Sequence, residues 1–130
     1  MDLKDRNHSE WERLYRSFVC AISGLIYAFK RERNLPIHFV FAVFVIALGA
    51  VFHITETEWI IITCLIGGMI SFELMNTAVE RVVDLITDQY HPLAKAAKDI
   101  SAASVFIFAI TAVITGFVIF APYIIQMISS

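Results

Sequence analysis

The stretch WIIITCLIGGMISFELMNTAVERVVDLI, residues 59–86, decides how this chain folds. Up to Phe72 it carries no charged side chain and reads as the opening of a membrane-crossing helix, which needs about 20 apolar residues to traverse ~30 Å of hydrocarbon. A carboxylate, Glu73, enters before that crossing is complete. With Trp59 as an interfacial aromatic anchor and a rise of ~1.5 Å per residue, Glu73 lies roughly 21 Å in and about 9 Å short of the inner boundary. Successive residues turn by about 100°, so Glu73, Asn76, Glu80 and Asp84 share one narrow helix face. An ionisable group at that depth costs about 2.5–3.5 kcal/mol, and like charges on adjacent turns repel besides. An ion pair with Lys98 of the next helix would account for Glu73 structurally. The functional alternative is a site at the edge of one leaflet. Carboxylates with an amide are hard oxygen ligands suited to Mg²⁺, which takes one or two carboxylates and leaves its remaining positions to phosphate and water.

Outward from that helix, the composition agrees with lipid as the solvent. Of 130 residues, 58% are hydrophobic and 17% charged, with a mean hydropathy of +0.73. That leaves too little polar surface to cover a soluble globule of this length. Ten Lys and Arg against twelve Asp and Glu give a net charge of −2, without the basic face that nucleic-acid binding requires. Cys20 and Cys64 have no CxxC or ligand spacing and read as small apolar fillers, with neither a disulfide framework nor a zinc site.

Towards the N-terminus, Trp11, Leu14, Tyr15, Phe18, Ile22, Leu25, Ile26 and Phe29 recur at steps of three and four. This is the stripe of an amphipathic helix, over about residues 9–33, with Ser9 as N-cap and Glu12 as its capping-box partner. Glu10, Arg13, Arg16, Ser17 and Ser23 fill the opposite edge, so the helix is expected to lie along the membrane surface. Asn34-Leu35-Pro36 breaks it. The run FVFAVFVIALGAVF, residues 39–52, then supplies a first span over about 36–53. Residues 59–86 form the second and 92–123 the third, ending near Pro122, so residues 1–130 read as a single membrane domain. No apolar core of a cleaved signal peptide precedes the first span. Seven of the ten Lys and Arg precede span one, and the other three, Arg81, Lys95 and Lys98, lie between spans two and three. The positive-inside rule therefore puts the N-terminus and residues 81–99 in the cytoplasm, and residues 53–58 and the C-terminus outside.

Between the second and third spans, Thr87-Asp88-Gln89-Tyr90-His91-Pro92 is a polar turn whose Pro92 suits the first position of a helix. Lys98 follows where it can reach a phosphate, although a lysine at the cytoplasmic end of a span also has a plain role in topology and snorkelling. His8, His38 and His53 are too scattered for a metal motif and read as interfacial residues. Gly67-Gly68 with Ser71 is the pattern of a small-residue helix contact. The five glycines allow neither GxxxxGK[ST] nor GxGxxG, so any nucleotide must be held without a P-loop.

These residues carry a resemblance. ELMNTAVERVVD, residues 73–84, followed by Tyr90-His91 and then KDISAASV, residues 98–105, is similar to the signature of the small prokaryotic integral-membrane lipid kinases. That family includes bacterial diacylglycerol kinase and the undecaprenol kinase of Gram-positive bacteria. The resemblance covers about residues 9–120. It implies an all-α membrane protein, with an N-terminal amphipathic surface helix and three transmembrane helices, assembled as a homotrimeric bundle with composite sites between subunits. Glu73 matches the general base that takes the proton from the lipid hydroxyl, and Asn76 the residue that orients the base or the γ-phosphate. Glu80 matches a carboxylate that binds Mg-ATP, and Glu32 its metal-binding partner. Gln89, Tyr90, His91, Lys98 and Asp99 match the nucleotide-binding turn and helix start, and Arg13 a phosphate contact. Gln89 stands where the family commonly has an acid, and Leu35-Pro36 departs from the pattern after Glu32.

The expected activity is transfer of the γ-phosphate of ATP to a membrane alcohol at the cytoplasmic leaflet of the bacterial cell membrane, with Mg²⁺. Undecaprenol is the expected acceptor and diacylglycerol the alternative. A non-catalytic three-span adaptor or transporter subunit is the rival of another class. A transport pathway would continue the polar stripe across the second span, whereas residues 59–70 are almost wholly apolar.

Overall fold

The computed structural model describes residues 9–130, which form four helices: α1 (Glu10–Arg31), α2 (Asn34–Phe52), α3 (Glu56–Ile86) and α4 (Pro92–Ser129). Lys4, Arg6 and His8 lie outside the described residues. Helices α2, α3 and α4 are each long and apolar enough to cross a membrane. α3 is the centre of the arrangement and packs against each of the other three.

Local chemistry places the helix ends. The Ser9 side chain accepts from the Glu12 backbone N–H and opens α1. The chain breaks at Glu32, whose backbone is extended, and α2 begins two residues before Pro36, which therefore sits in a first turn where its missing N–H costs nothing. α3 starts earlier than its apolar run because Thr55 and Glu58 form a reciprocal capping box. Glu58 also accepts a 2.7 Å hydrogen bond from the Tyr123 hydroxyl, which ties that end of α3 to α4. Beside it, Ile54, Ile62, Ile119 and Phe120 form the best-buried cluster, flanked by Phe52, Trp59 and Tyr123.

α4 differs from the sequence expectation. It does not stop near Pro122 but continues through it to Ser129. A proline removes one backbone donor, whereas unwinding the helix in hydrocarbon would leave several unsatisfied groups, so the helix persists. The Ser129 and Ser130 hydroxyls then donate to the Gln126 carbonyl at 3.2 and 2.7 Å and satisfy the last turn.

The glycine pair resolves into two different positions. A Cβ on Gly67 would meet nothing within 4 Å, whereas one on Gly68 would lie 2.4 Å from Cζ of Phe108. The Phe108 ring is itself held by Phe72, with centroids 5.0 Å apart. Gly68→Ala is accordingly expected to destabilise the α3/α4 contact by about 1–3 kcal/mol through overpacking. Gly67→Ala should change stability by less than about 0.5 kcal/mol, since nothing there must move. Thermal unfolding in detergent compares the two, and equal effects would reject the Gly68 contact.

Candidate active site at one end of α3

Three groups of polar side chains gather towards the C-terminal part of α3. The first centres on Glu73, only 4% exposed although it is ionisable. Its Oε1 atom lies 3.3 Å from Nε2 of His38 on α2. The alignment does not make a hydrogen bond, and Oε1 has no other partner. Thr77, one turn on, is also buried.

The second group follows along the same face. The Asn76 amide donates to Oε1 of Glu80 at 3.2 Å, while the buried Asn76 Oδ1 is left without a donor. Glu32, just past α1, takes a 2.5 Å bond from the Arg81 guanidinium. Arg81 also stacks over the Tyr27 ring at 5.9 Å. The α1/α2 break is thus fastened to α3 at Arg81 by a contact across 49 residues of sequence.

The third group is the α3–α4 turn. Residues 87–91, with Asp84, Lys95, Lys98 and Asp99, line an open polar cavity of about 300 Å³. The Thr87 hydroxyl accepts from the Gln89 backbone N–H at 3.2 Å, and Nδ1 of His91 caps α4 by accepting from Leu93 N–H at 3.2 Å. Lys98 pairs with Asp84 at 2.5 Å, and Lys95 pairs with Asp99. The alternative in which Lys98 neutralises Glu73 is therefore overturned: the lysine is engaged with Asp84, three turns further along α3.

A larger apolar groove of about 790 Å³ runs along α2, α3 and α4 away from the site. Leu48, Met69, Gly116 and Phe120 are among its walls, and His38 stands at its polar end.

Of the residues read from the sequence, Glu73, Asn76 and Glu80 do share a face, and Gln89, Tyr90, His91, Lys98 and Asp99 do share a cavity. Glu32 is tied to α3 through Arg81. Arg13, in the first turn of α1, is not among the residues that line the cavity. Two residues escaped the sequence reading. His38, which by sequence reads as an interfacial residue, meets Glu73. Arg81, which by sequence bears only on topology, holds Glu32. Neither has a local signal, because each partner is on another helix.

No group of three or more His, Cys, Asp or Glu residues forms a ready-made metal cage among the described residues. The oxygen ligands at hand are the carboxylates of Glu32, which Arg81 ties to α3, and of Glu80, with the undonated amide oxygen of Asn76. That fits Mg²⁺ arriving with phosphates, because this ion keeps water and substrate oxygens in its shell and needs only one or two protein carboxylates.

Three helices long and apolar enough to span a membrane, with a buried acid and a polar cavity towards one end of α3 and the α3–α4 turn, define a multi-pass membrane protein. Residues 19–120 match the prokaryotic diacylglycerol kinase family model, and the chain belongs to that family of ATP-dependent lipid phosphotransferases. It is 48% identical over 122 residues to the undecaprenol kinase of Bacillus subtilis (strain 168), covering 94% of this chain and 98% of that one. It is 38% identical over 112 residues to the diacylglycerol kinase of Synechocystis sp., covering 85% of this chain and 64% of that one. Over a shorter stretch of 43 residues it is 51% identical to the diacylglycerol kinase of Escherichia coli K12, covering 33% and 35% of the two chains.

Proposed function

We propose that this chain phosphorylates undecaprenol at the cytoplasmic leaflet of the bacterial cell membrane, with Glu73 as general base. The observation that carries the reading is the buried Glu73 side chain, whose Oε1 has no hydrogen bond and lies 3.3 Å from His38 at the end of the apolar groove. Glu73 takes the proton from the lipid hydroxyl. The alcohol oxygen bonds to the γ-phosphorus as the bond to the β,γ-bridging oxygen breaks, and ADP leaves. Asn76 orients the reacting groups, and Lys98 moves from Asp84 to a phosphate oxygen and balances charge there. Glu32 and Glu80 hold Mg²⁺, which when bound neutralises charge on the phosphates. Gln89, Tyr90, His91 and Asp99 bound the nucleotide. Positioning supplies most of the rate.

Residues 1–130 act as one membrane unit in this reading. α1 lies in the interface, since Trp11, Tyr15, Phe18 and Ile22 are exposed in the single chain and suit the headgroup boundary. The positive-inside distribution supports a cytoplasmic N-terminus and an external C-terminus. A homotrimer supplies the walls that the open 300 Å³ cavity lacks, and it gives Arg13 a neighbour's nucleotide to meet.

Undecaprenol is favoured as acceptor by the extent of identity to the Bacillus subtilis relative. Diacylglycerol is the second reading, favoured by the Synechocystis relative. Purified protein with Mg-ATP, offered both lipids side by side, discriminates them. Transfer mainly to diacylglycerol rejects the first acceptor, and transfer to neither rejects the reading.

Lys98→Met should raise the KM for Mg-ATP about 10-fold, the loss of one charge-assisted phosphate contact. The Lys98–Asp84 pair is half-exposed, so its loss should cost no more than ~1 kcal/mol of stability. Initial rates against Mg-ATP concentration measure the first effect. An unchanged KM would leave the lysine as a topological residue.

A further inference from the structure

The 3.3 Å approach of His38 Nε2 to Glu73 Oε1 has no role in the scheme above. The stretch of α2 that carries His38 is anchored. Leu35, one turn earlier on α2, is 1% exposed, and Phe39 packs edge-on against Phe29 of α1 with centroids 5.4 Å apart. The backbone of His38 is therefore held on the α1/α2 side and that of Glu73 on α3. The residual freedom lies in the torsions of the glutamate side chain, because Oε1 has no hydrogen bond in this state. Catalytic hydrogen bonds are often poorly aligned before substrate binds and tighten in the complex.

We propose that His38 is a positioning residue for the base. Its Nε2–H donates to Oε1 of Glu73 when the lipid alcohol enters, which turns Oε2 towards the hydroxyl. The inference rests on Glu73 being the base. Rotation about the glutamate side-chain torsions brings Oε1 into line with the donor. The hydroxyl meets the carboxylate beside the polar end of the groove, where His38 itself forms part of the wall.

The test uses the full-length enzyme in mixed micelles with Mg-ATP, with undecaprenol and, in parallel, diacylglycerol as acceptors. His38→Leu should lower kcat by about 10- to 100-fold, the scale of a misplaced catalytic group, with the KM for Mg-ATP within about twofold. His38→Gln carries an amide N–H to nearly the place of Nε2 and should recover activity to within about fivefold of the parent. His38→Asn, whose amide ends short of it, should stay as poor as the leucine variant. In a Glu73→Gln background, His38→Leu should cause no further loss. Helical content and thermal unfolding identify any variant that fails to fold. If the leucine variant is one of these, the glutamine and asparagine pair still decides. Equal activity of these two, or a folded leucine variant with unaltered kcat, overturns the positioning role while an inactive Glu73→Gln leaves the base in place. An active Glu73→Gln overturns the base and the positioning role together.

Discussion

Glu73→Gln is expected to lower phosphoryl transfer by about 10²–10⁴-fold, the usual contribution of a well-placed general base. The replacement keeps the size and shape of a side chain that is 4% exposed, so packing around Thr77 and against α2 should persist. The variant should be at least as stable as the parent, because a buried carboxylate whose Oε1 has no hydrogen bond carries a desolvation cost that an amide lessens. Nucleotide handling should be spared. The nucleotide residues lie at the α3–α4 turn, and Asp88 is 15 residues beyond Glu73 in sequence, so the KM for Mg-ATP should stay within about threefold if the base contributes only to the chemical step. The measurement is radiolabel transfer from ATP to lipid, with thermal unfolding of the same preparation. A folded variant with full activity removes Glu73 from the chemistry, and a variant with unchanged kcat but a large rise in KM makes it a binding group.

Glu80→Gln should be nearly as damaging, for a different reason. Glu80 accepts the Asn76 amide through Oε1 at 3.2 Å, a bond that a glutamine carbonyl can also accept. The substitution therefore removes charge while keeping the local geometry of α3. If Glu80 holds the metal carried by the nucleotide, kcat/KM for Mg-ATP should fall about 100-fold, on the scale of losing one preorganised charge contact to the transferring phosphate. The Mg²⁺ concentration for half-maximal rate should rise about 10-fold, because a neutral amide oxygen is a weaker ligand for a hard cation than a carboxylate. A Mg²⁺ titration at fixed total ATP separates this from a plain packing defect. A rate loss with an unmoved Mg²⁺ midpoint would assign Glu80 to holding Asn76 instead.

The two substitutions act at neighbouring turns of one helix, and the difference between them reflects depth. Glu73 is buried and meets His38, which forms part of the wall of the apolar groove, the side from which an alcohol would arrive in the proposed reaction. Glu80 lies about two turns nearer the polar α3–α4 turn and directly precedes Arg81, which holds Glu32, on the side where polyphosphate would bind in the proposed reaction. A single helix that crosses the membrane at this point can bring a lipid hydroxyl and a water-soluble donor to opposite sides of one phosphoryl group. In the proposed reaction the enzyme would need neither a P-loop nor a covalent phosphoenzyme.

Helical periodicity suffices to put Glu73, Asn76 and Glu80 on one face, because neighbours three and four apart on a helix meet whatever surrounds it. The turn at residues 87–91 was equally legible, since Pro92 and the polar run before it admit few other conformations. Composition and spacing likewise announced three apolar helices. The run at residues 39–52, for example, has no polar side chain to interrupt it.

What the amino-acid order could not disclose is which residues meet across helices. His38 against Glu73, Arg81 against Glu32, and Asp84 rather than Glu73 as the partner of Lys98 all depend on how α1, α2 and α4 pack around α3. Local chain geometry is set by short-range torsions, capping and periodicity, which each residue and its near neighbours carry with them. Pairing between distant residues follows from the relative rotation and depth of whole helices. Those are decided by contacts such as Gly68 under Phe108 and Tyr123 on Glu58, spread over the entire packed surface and encoded in no single stretch of the chain.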